Sequence, residues 1–109
     1  MVKVLLSSSA RAYLRKEAQY LRQRSRPAAE AFLARMREAR INLQRFPQMG
    51  FQKAGLPIPG MRSLIVDAYI IDYEVSADTV LILAVRPSQI PEASLTVDDD
   101  FDYEDDVGD

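Results

Sequence analysis

Between Pro47 and Gly60 the chain carries six residues that interrupt regular backbone: Pro47, Gly50, Gly55, Pro57, Pro59 and Gly60. The apolar pattern has a different period on either side of this break, and that change constrains the fold more than any other feature. Before the break, apolar residues recur at steps of three and four, the period of a helix face. After it come runs rich in Val, Ile, Leu and Tyr, separated by short polar turns, which read as strands. A helical hairpin and a strand meander each leave one apolar face uncovered, so the two halves must pack on each other.

The helical half opens with a short strand at residues 2–6. Ser7-Ser8-Ser9 offers a helix N-cap, and Ala10, Tyr13, Leu14, Ala18 and Leu21 form one face of a helix ending near Ser25. Arg11, Arg15, Lys16, Arg22 and Arg24 lie mostly off that stripe. Pro27 restarts the pattern, as Pro is tolerated in a first helical turn. Ala29, Phe32, Leu33, Met36, Leu43 and Phe46 then mark a second stripe that Pro47 stops. The short link predicts an antiparallel hairpin, and residues 47–60 read as loop. Met61–Val66, residues 68–76 and residues 79–86 read as strands, with tight turns at Asp67-Ala68 and Ala77-Asp78. The expected fold class is α+β: an N-terminal strand, an antiparallel helical hairpin, then a three-stranded antiparallel meander completing one sheet.

The formal charge of −2 conceals a split. Residues 98–109 hold eight acids and no base, whereas residues 1–97 hold all 14 Lys and Arg against eight acids, a balance of +6. We therefore expect one domain over residues 1–97 and an acidic tail over 98–109, where dense like charge opposes compaction. Such a tail is expected to contact basic surface, either a partner's or its own at Arg62 and Arg86. Asp98, Asp99, Asp100 and Asp102 lack the glycine of a calcium loop.

The chain has no Cys and no His. It therefore lacks thiolate chemistry, the side chain that most often serves as a base near neutral pH, and the commonest zinc ligand. No cofactor or metal is expected. The first apolar stretch is too short for a signal-peptide core, and no run approaches the ~20 apolar residues of a membrane span. The reading is a soluble cytoplasmic protein with no membrane partner.

Four local patterns, in order, resemble the RelE/ParE toxin superfamily over about residues 3–90. Leu43-Gln44-Arg45-Phe46-Pro47-Gln48-Met49-Gly50 looks like that family's L-x-x-F-P-x-x-G, and Gly60-Met61-Arg62-Ser63-Leu64 like its G-x-R-S/x-L. Tyr69-Ile70-Ile71-Asp72-Tyr73-Glu74-Val75 is similar to Y-x-I-x-Y-x-V, and Val80-Leu81-Ile82-Leu83-Ala84-Val85-Arg86 to the start of V-x-I-L-x-V-x-H. The resemblance departs after the last strand, where Arg86-Pro87-Ser88-Gln89 stands in place of a His or Arg pair. It implies the toxin of a type II toxin–antitoxin pair, working as a hetero-oligomer with a cognate antitoxin. In the ParE-like branch the target is DNA gyrase and no catalysis is needed. In the RelE-like alternative the toxin is an endoribonuclease acting on the ribosome and mRNA. That chemistry needs an acid–base pair, and no His, and no Tyr or Glu close after the last strand, is present to serve. This absence and the long helical hairpin favour the ParE-like reading.

Target-binding candidates are Lys53, Arg62 and Arg86. The two arginines interrupt otherwise apolar strands and are expected to share one face as a cationic site; salt bridges to Asp67, Asp72 or Glu74 are the competing reading. Antitoxin-binding candidates are Tyr13, Tyr20, Phe32, Met36, Phe51 and Tyr69, large apolar or aromatic side chains in a chain whose own core is small. Tyr69 and Tyr73 stand four apart on one strand and share a face.

Overall fold

The computed structural model describes residues 2–52 and 60–88. In chain order the elements are β1 (Lys3–Leu6), α1 (Ser8–Arg24), α2 (Arg26–Arg45), β2 (Met61–Val66), β3 (Tyr69–Val75) and β4 (Thr79–Pro87). The four strands form one sheet in the order β1-β4-β3-β2, with β1 parallel to β4 and the other pairs antiparallel. The α+β class and the order of elements are those read from the sequence. The acidic residues 98–109 and Lys53 lie outside the described residues.

The helix ends follow from local chemistry. Ser7 caps α1, its Oγ accepting from the Ala10 N–H at 3.0 Å, a bond that satisfies one of the orphan donors of the first turn. Ser25 closes α1 and opens α2: its N–H donates to Leu21 O at 2.7 Å and its Oγ accepts from the Ala28 N–H at 3.3 Å. A single residue thus links the two helices. Pro27 sits in the first turn of α2. Phe46, expected on the apolar stripe, caps α2 and is 62% exposed, because the helix ends at Arg45 and the chain turns away.

The core lies between the hairpin and one face of the sheet. Val4, Val66, Ile71, Tyr73, Val80, Ile82 and Val85 meet Ala10, Ala39 and Leu43 there. The two turns fall where expected. Asp67 adopts a left-handed φ of 55°, a conformation Asp tolerates better than most residues, and its carboxylate receives Arg35 Nε at 2.9 Å, tying α2 to the β2–β3 turn.

Register changes within β4. Tyr73 opposes Ile82 but Asp72 opposes Ala84, so Leu83 is an extra residue in the ladder. This β-bulge shifts the in–out alternation by one. Val80 and Ile82 face the core before it and Val85 faces the core after it. Leu83 turns its carbonyl to the start of α1, where it accepts from Ser7 Oγ at 2.8 Å and Ser9 Oγ at 3.3 Å.

Candidate functional site

The bulge decides where the two strand arginines point. Arg62 opposes Tyr73 and Arg86 opposes Ile70. Those two β3 residues are three apart and lie on opposite faces of the sheet. The expectation of a shared face fails for this reason. An unbulged β4 would align Arg86 with Tyr69, on the face of Tyr73 and Arg62; the extra Leu83 turns it to the other side.

On the helix side, Arg62 and Tyr73 hold the segment that follows α2. Arg62 Nη1 donates to the Gly50 carbonyl at 2.7 Å, and the Gly50 N–H donates to Tyr73 Oη at 2.9 Å. Phe51 and Ser63 exchange backbone bonds of 2.8 and 2.9 Å, so this segment pairs with β2. A Cβ on Gly50 would stand 2.6 Å from Ser63 O and 2.7 Å from Tyr73 Oη, which explains why a glycine ends the L-x-x-F-P-x-x-G pattern. Burial is the main cause raising the Tyr73 hydroxyl above its ordinary pKa of 10.0.

On the outer side, Arg86 grips Asp72 with two bonds, Nε to Oδ2 at 2.8 Å and Nη2 to Oδ1 at 3.3 Å. Asp72 Oδ1 also accepts from Ser63 Oγ at 2.7 Å. The result is a polar line, Ser63–Asp72–Arg86, running across β2, β3 and β4. Ile65, 60% exposed, and Ile70 stand beside it.

The antitoxin candidates separate into internal and surface groups. Phe32 is buried against Tyr69 with ring centroids 4.9 Å apart, and Tyr13 meets Tyr69 edge-on at 6.5 Å. Tyr69 donates its hydroxyl to Glu17 Oε2 at 2.5 Å. Burial first, then the Glu17 hydrogen bond and charge, push the Tyr69 hydroxyl well above its ordinary range, and burial likewise raises Tyr13. By contrast, Tyr20 and Phe51 are half exposed, Tyr20 with the Arg24 guanidinium 4.9 Å above its ring. Met36 is half-buried in a groove between the helices.

Basic residues off the apolar stripe of α1, Arg15 and Arg22 among them, are visible in the sequence, but the groove they border is not. A cavity of about 310 Å³ is lined by Leu14, Ala18 and Leu33 with Arg15 and Arg22. It shares Leu14 and Leu33 with a second cavity of about 170 Å³, where Met36, Arg37 and Arg40 join the lining and Leu6, Ile71, Ile82 and Val85 of the sheet line the inner end, so the groove deepens there between the hairpin and the sheet. A third, open hollow of about 640 Å³ lies by Phe46, Pro47 and Met49 at the end of α2. Among the described residues no group of His, Cys, Asp or Glu can hold a metal ion, and no helix is long and apolar enough to cross a membrane.

The model of the ParE toxin family, the toxin of the type II toxin–antitoxin system parDE, matches residues 4–90. The chain belongs to the ParE toxin family. The ParE match spans β1 to β4 and includes both strand arginines and the groove, and it stops short of residues 98–109. Among solved structures, a chain of the chromosomal ParDE toxin–antitoxin system from P. aeruginosa has the same fold. It superposes with a TM-score of 0.67 at 18% identity, covering 82% of this chain and 98% of that one. No curated protein sequence matches this ParE chain.

Proposed function

We propose that this ParE toxin acts in the cytoplasm by binding DNA gyrase and that a cognate antitoxin keeps it inactive by covering its exposed apolar surface. The observation that carries the gyrase reading is the use already made of the two strand arginines. A ribonuclease must activate a 2′-hydroxyl and bring positive charge to one phosphate. Arg62 is bonded to the Gly50 carbonyl and Arg86 to Asp72, on opposite faces of the sheet. They do not converge on one phosphate. Tyr13, Tyr69 and Tyr73 hold their protons more tightly than an ordinary tyrosine, which makes them poor bases near neutral pH. A toxin that works by binding needs neither feature; Lys53, and Arg86 on the outer face, then serve as contacts to the target, while Arg62 holds the segment after α2 in place.

The antitoxin reading rests on apolar surface. Tyr20, Ile41, Phe46, Met49, Phe51, Leu5 and Ile65 are all exposed, and Phe46 and Met49 line one open hollow with Val2, Pro47 and Val75, the kind of apolar surface that marks a protein contact. Small partners commonly cover such surface with a segment that orders on binding. The hetero-oligomer would bury Tyr20, Phe51 and Met36, whereas Phe32 and Tyr69 would support the surface from beneath.

The test exposes purified protein to gyrase with supercoiled plasmid, and in parallel to translating ribosomes with a defined mRNA. The expected result is loss of supercoiling activity or accumulation of broken plasmid, with intact mRNA. Cleaved mRNA beside unaffected gyrase would overturn the proposal in favour of the ribonuclease.

A further inference from the structure

The helical hairpin is more basic than the chain around it. Residues 8–45 carry ten Lys or Arg and three acids. Two of those acids are engaged, Glu17 by the Tyr69 hydroxyl and Glu38 by Arg35. Arg15 and Arg22 rim the groove between the helices, and Arg37 and Arg40 rim its continuation toward the sheet, where Arg40 also donates to the Val4 carbonyl at 3.2 Å. None of the four is paired with a carboxylate among the described residues. The floor between them is apolar, made by Leu14, Leu33 and Met36. An apolar trough with an arginine rim fits a segment that alternates aromatic and acidic side chains.

This chain contains such a segment. Residues 98–109 carry eight acids, and Phe101 and Tyr103 stand two apart among them, the spacing that puts both on one side of an extended chain. We propose that residues 98–109 of the same molecule occupy the groove, with Phe101 and Tyr103 against Leu14, Leu33 and Met36 and the acids against the arginine rim. Charge supports the pairing. So does reach. The described chain leaves the sheet at Ser88, whose N–H bonds Ala68 O at 2.8 Å. Ala68 precedes Tyr69, which touches Tyr13, Glu17 and Phe32, the sequence neighbours of Leu14, Ala18 and Leu33. The nine residues between Ser88 and Asp98 span up to about 30 Å when extended. The α1 side of the groove, from Leu14 to Arg22, is only about 12 Å long. The groove is a better site for the acids than Arg62 or Arg86, because those two stand on opposite faces of the sheet and Arg86 already grips a carboxylate, whereas Arg15, Arg22 and Arg37 gather on one hairpin. Arg40, which donates to the Val4 carbonyl at 3.2 Å, closes the rim at the β1 end.

The contact is mainly electrostatic and solvent-accessible, so salt weakens it; at about 1 M salt the Debye length falls to about 3 Å. Any partner that takes the groove must first displace the segment.

The test uses the full chain. It has no cysteine, so Gly108→Cys provides a unique attachment point for a spin label on isotope-labelled protein. The expected result is loss of amide peak intensity at α1 residues near Leu14 to Arg22 and α2 residues near Leu33 to Arg40, recovered at about 1 M salt. Arg15→Gln with Arg22→Gln should recover it at low salt, at an unchanged melting temperature. Broadening centred on Arg62 and Arg86, or broadening that is absent or uniform, overturns the proposal. So does transfer of the effect to unlabelled-site copies in a mixture of spin-labelled and isotope-labelled chains, which would make the occupant a second molecule.

Discussion

Gly50→Ala is the most revealing single substitution. Gly50 is buried, and its φ is not in the left-handed region, so the new methyl group acts through space alone. It meets the Ser63 carbonyl at 2.6 Å, Tyr73 Oη at 2.7 Å and Tyr73 Cε1 at 2.9 Å. The Ser63 carbonyl cannot retreat without stretching the 2.8 Å bond from Phe51, and Tyr73 is 0% exposed and packed on all sides. Overpacking of this kind costs about 1–3 kcal/mol. Loss of the 2.9 Å bond from the Gly50 N–H to Tyr73 Oη leaves a buried donor unsatisfied, about 1–3 kcal/mol more. The lower chain entropy of alanine in the unfolded state returns about 0.4–1 kcal/mol. The net expectation is a loss of about 2–5 kcal/mol, a drop in Tm of roughly 10 °C or more for a domain of this size. Urea unfolding monitored by circular dichroism measures it. Tyr73→Phe alone should cost about 1–2 kcal/mol through the unsatisfied Gly50 donor. The double variant should lose less than the sum, because removing Oη relieves one clash, yet it should stay below wild type because the Ser63 clash remains. A Gly50→Ala protein within about 0.5 kcal/mol of wild type, or strictly additive variants, would refute the wedge.

Arg62→Ala should lower stability by about 1 kcal/mol through the lost Gly50 carbonyl bond, so toxicity assays on this variant need a melting curve beside them. Arg86→Ala leaves Asp72, 20% exposed, with Ser63 Oγ as a remaining partner; because Arg86 is itself 37% exposed, the loss should be near 1 kcal/mol rather than that of a fully buried pair, and smaller still in an Asp72→Asn background. Ser7→Ala removes the α1 cap and one of the two hydroxyls on the Leu83 carbonyl, and should cost about 1–2 kcal/mol by thermal melting. Folded-state pKa values raised above 10.0 at Tyr13, Tyr69 and Tyr73 mean that the unfolded chain releases its tyrosine protons first. Their contribution to stability is therefore intact below about pH 10 and lost as pH climbs beyond it; urea midpoints measured across that range should fall, and fall less steeply in Tyr69→Phe.

What could be read from the sequence was whatever local chemistry decides. Ser7 and Ser25 mark helix ends because a side-chain oxygen there satisfies orphan donors, Pro47 cannot continue α2, and Asp67-Ala68 suits a tight turn. The misplaced features depend on contacts between distant residues. Nothing around Leu83 signals a bulge, since Val80 to Arg86 reads equally well as seven evenly alternating residues; the extra residue is stabilised by Ser7 and Ser9, more than 70 positions away in the chain. One unseen insertion moved Arg86 to the other face and changed what the two arginines can do. Phe32 looked like a partner contact because its hydrophobicity is visible in sequence and its covering by Tyr69 is not. The groove was only half visible. The arginines were plain, but which of them surround Leu14 and Leu33 follows from how α1 and α2 lie together.

β4 is the strand that both β1 and β3 pair with, and it is made after both. A ribosome extending the chain at about 5–20 residues per second delivers residues 7–87 over about 4–16 s. Throughout that interval β1 has no strand to pair with; α2 alone can hold it, through the 3.2 Å bond from Arg40 to the Val4 carbonyl and the packing of Val4 with Ala39 and Leu43. A nascent toxin is therefore an open sandwich whose last slice arrives late.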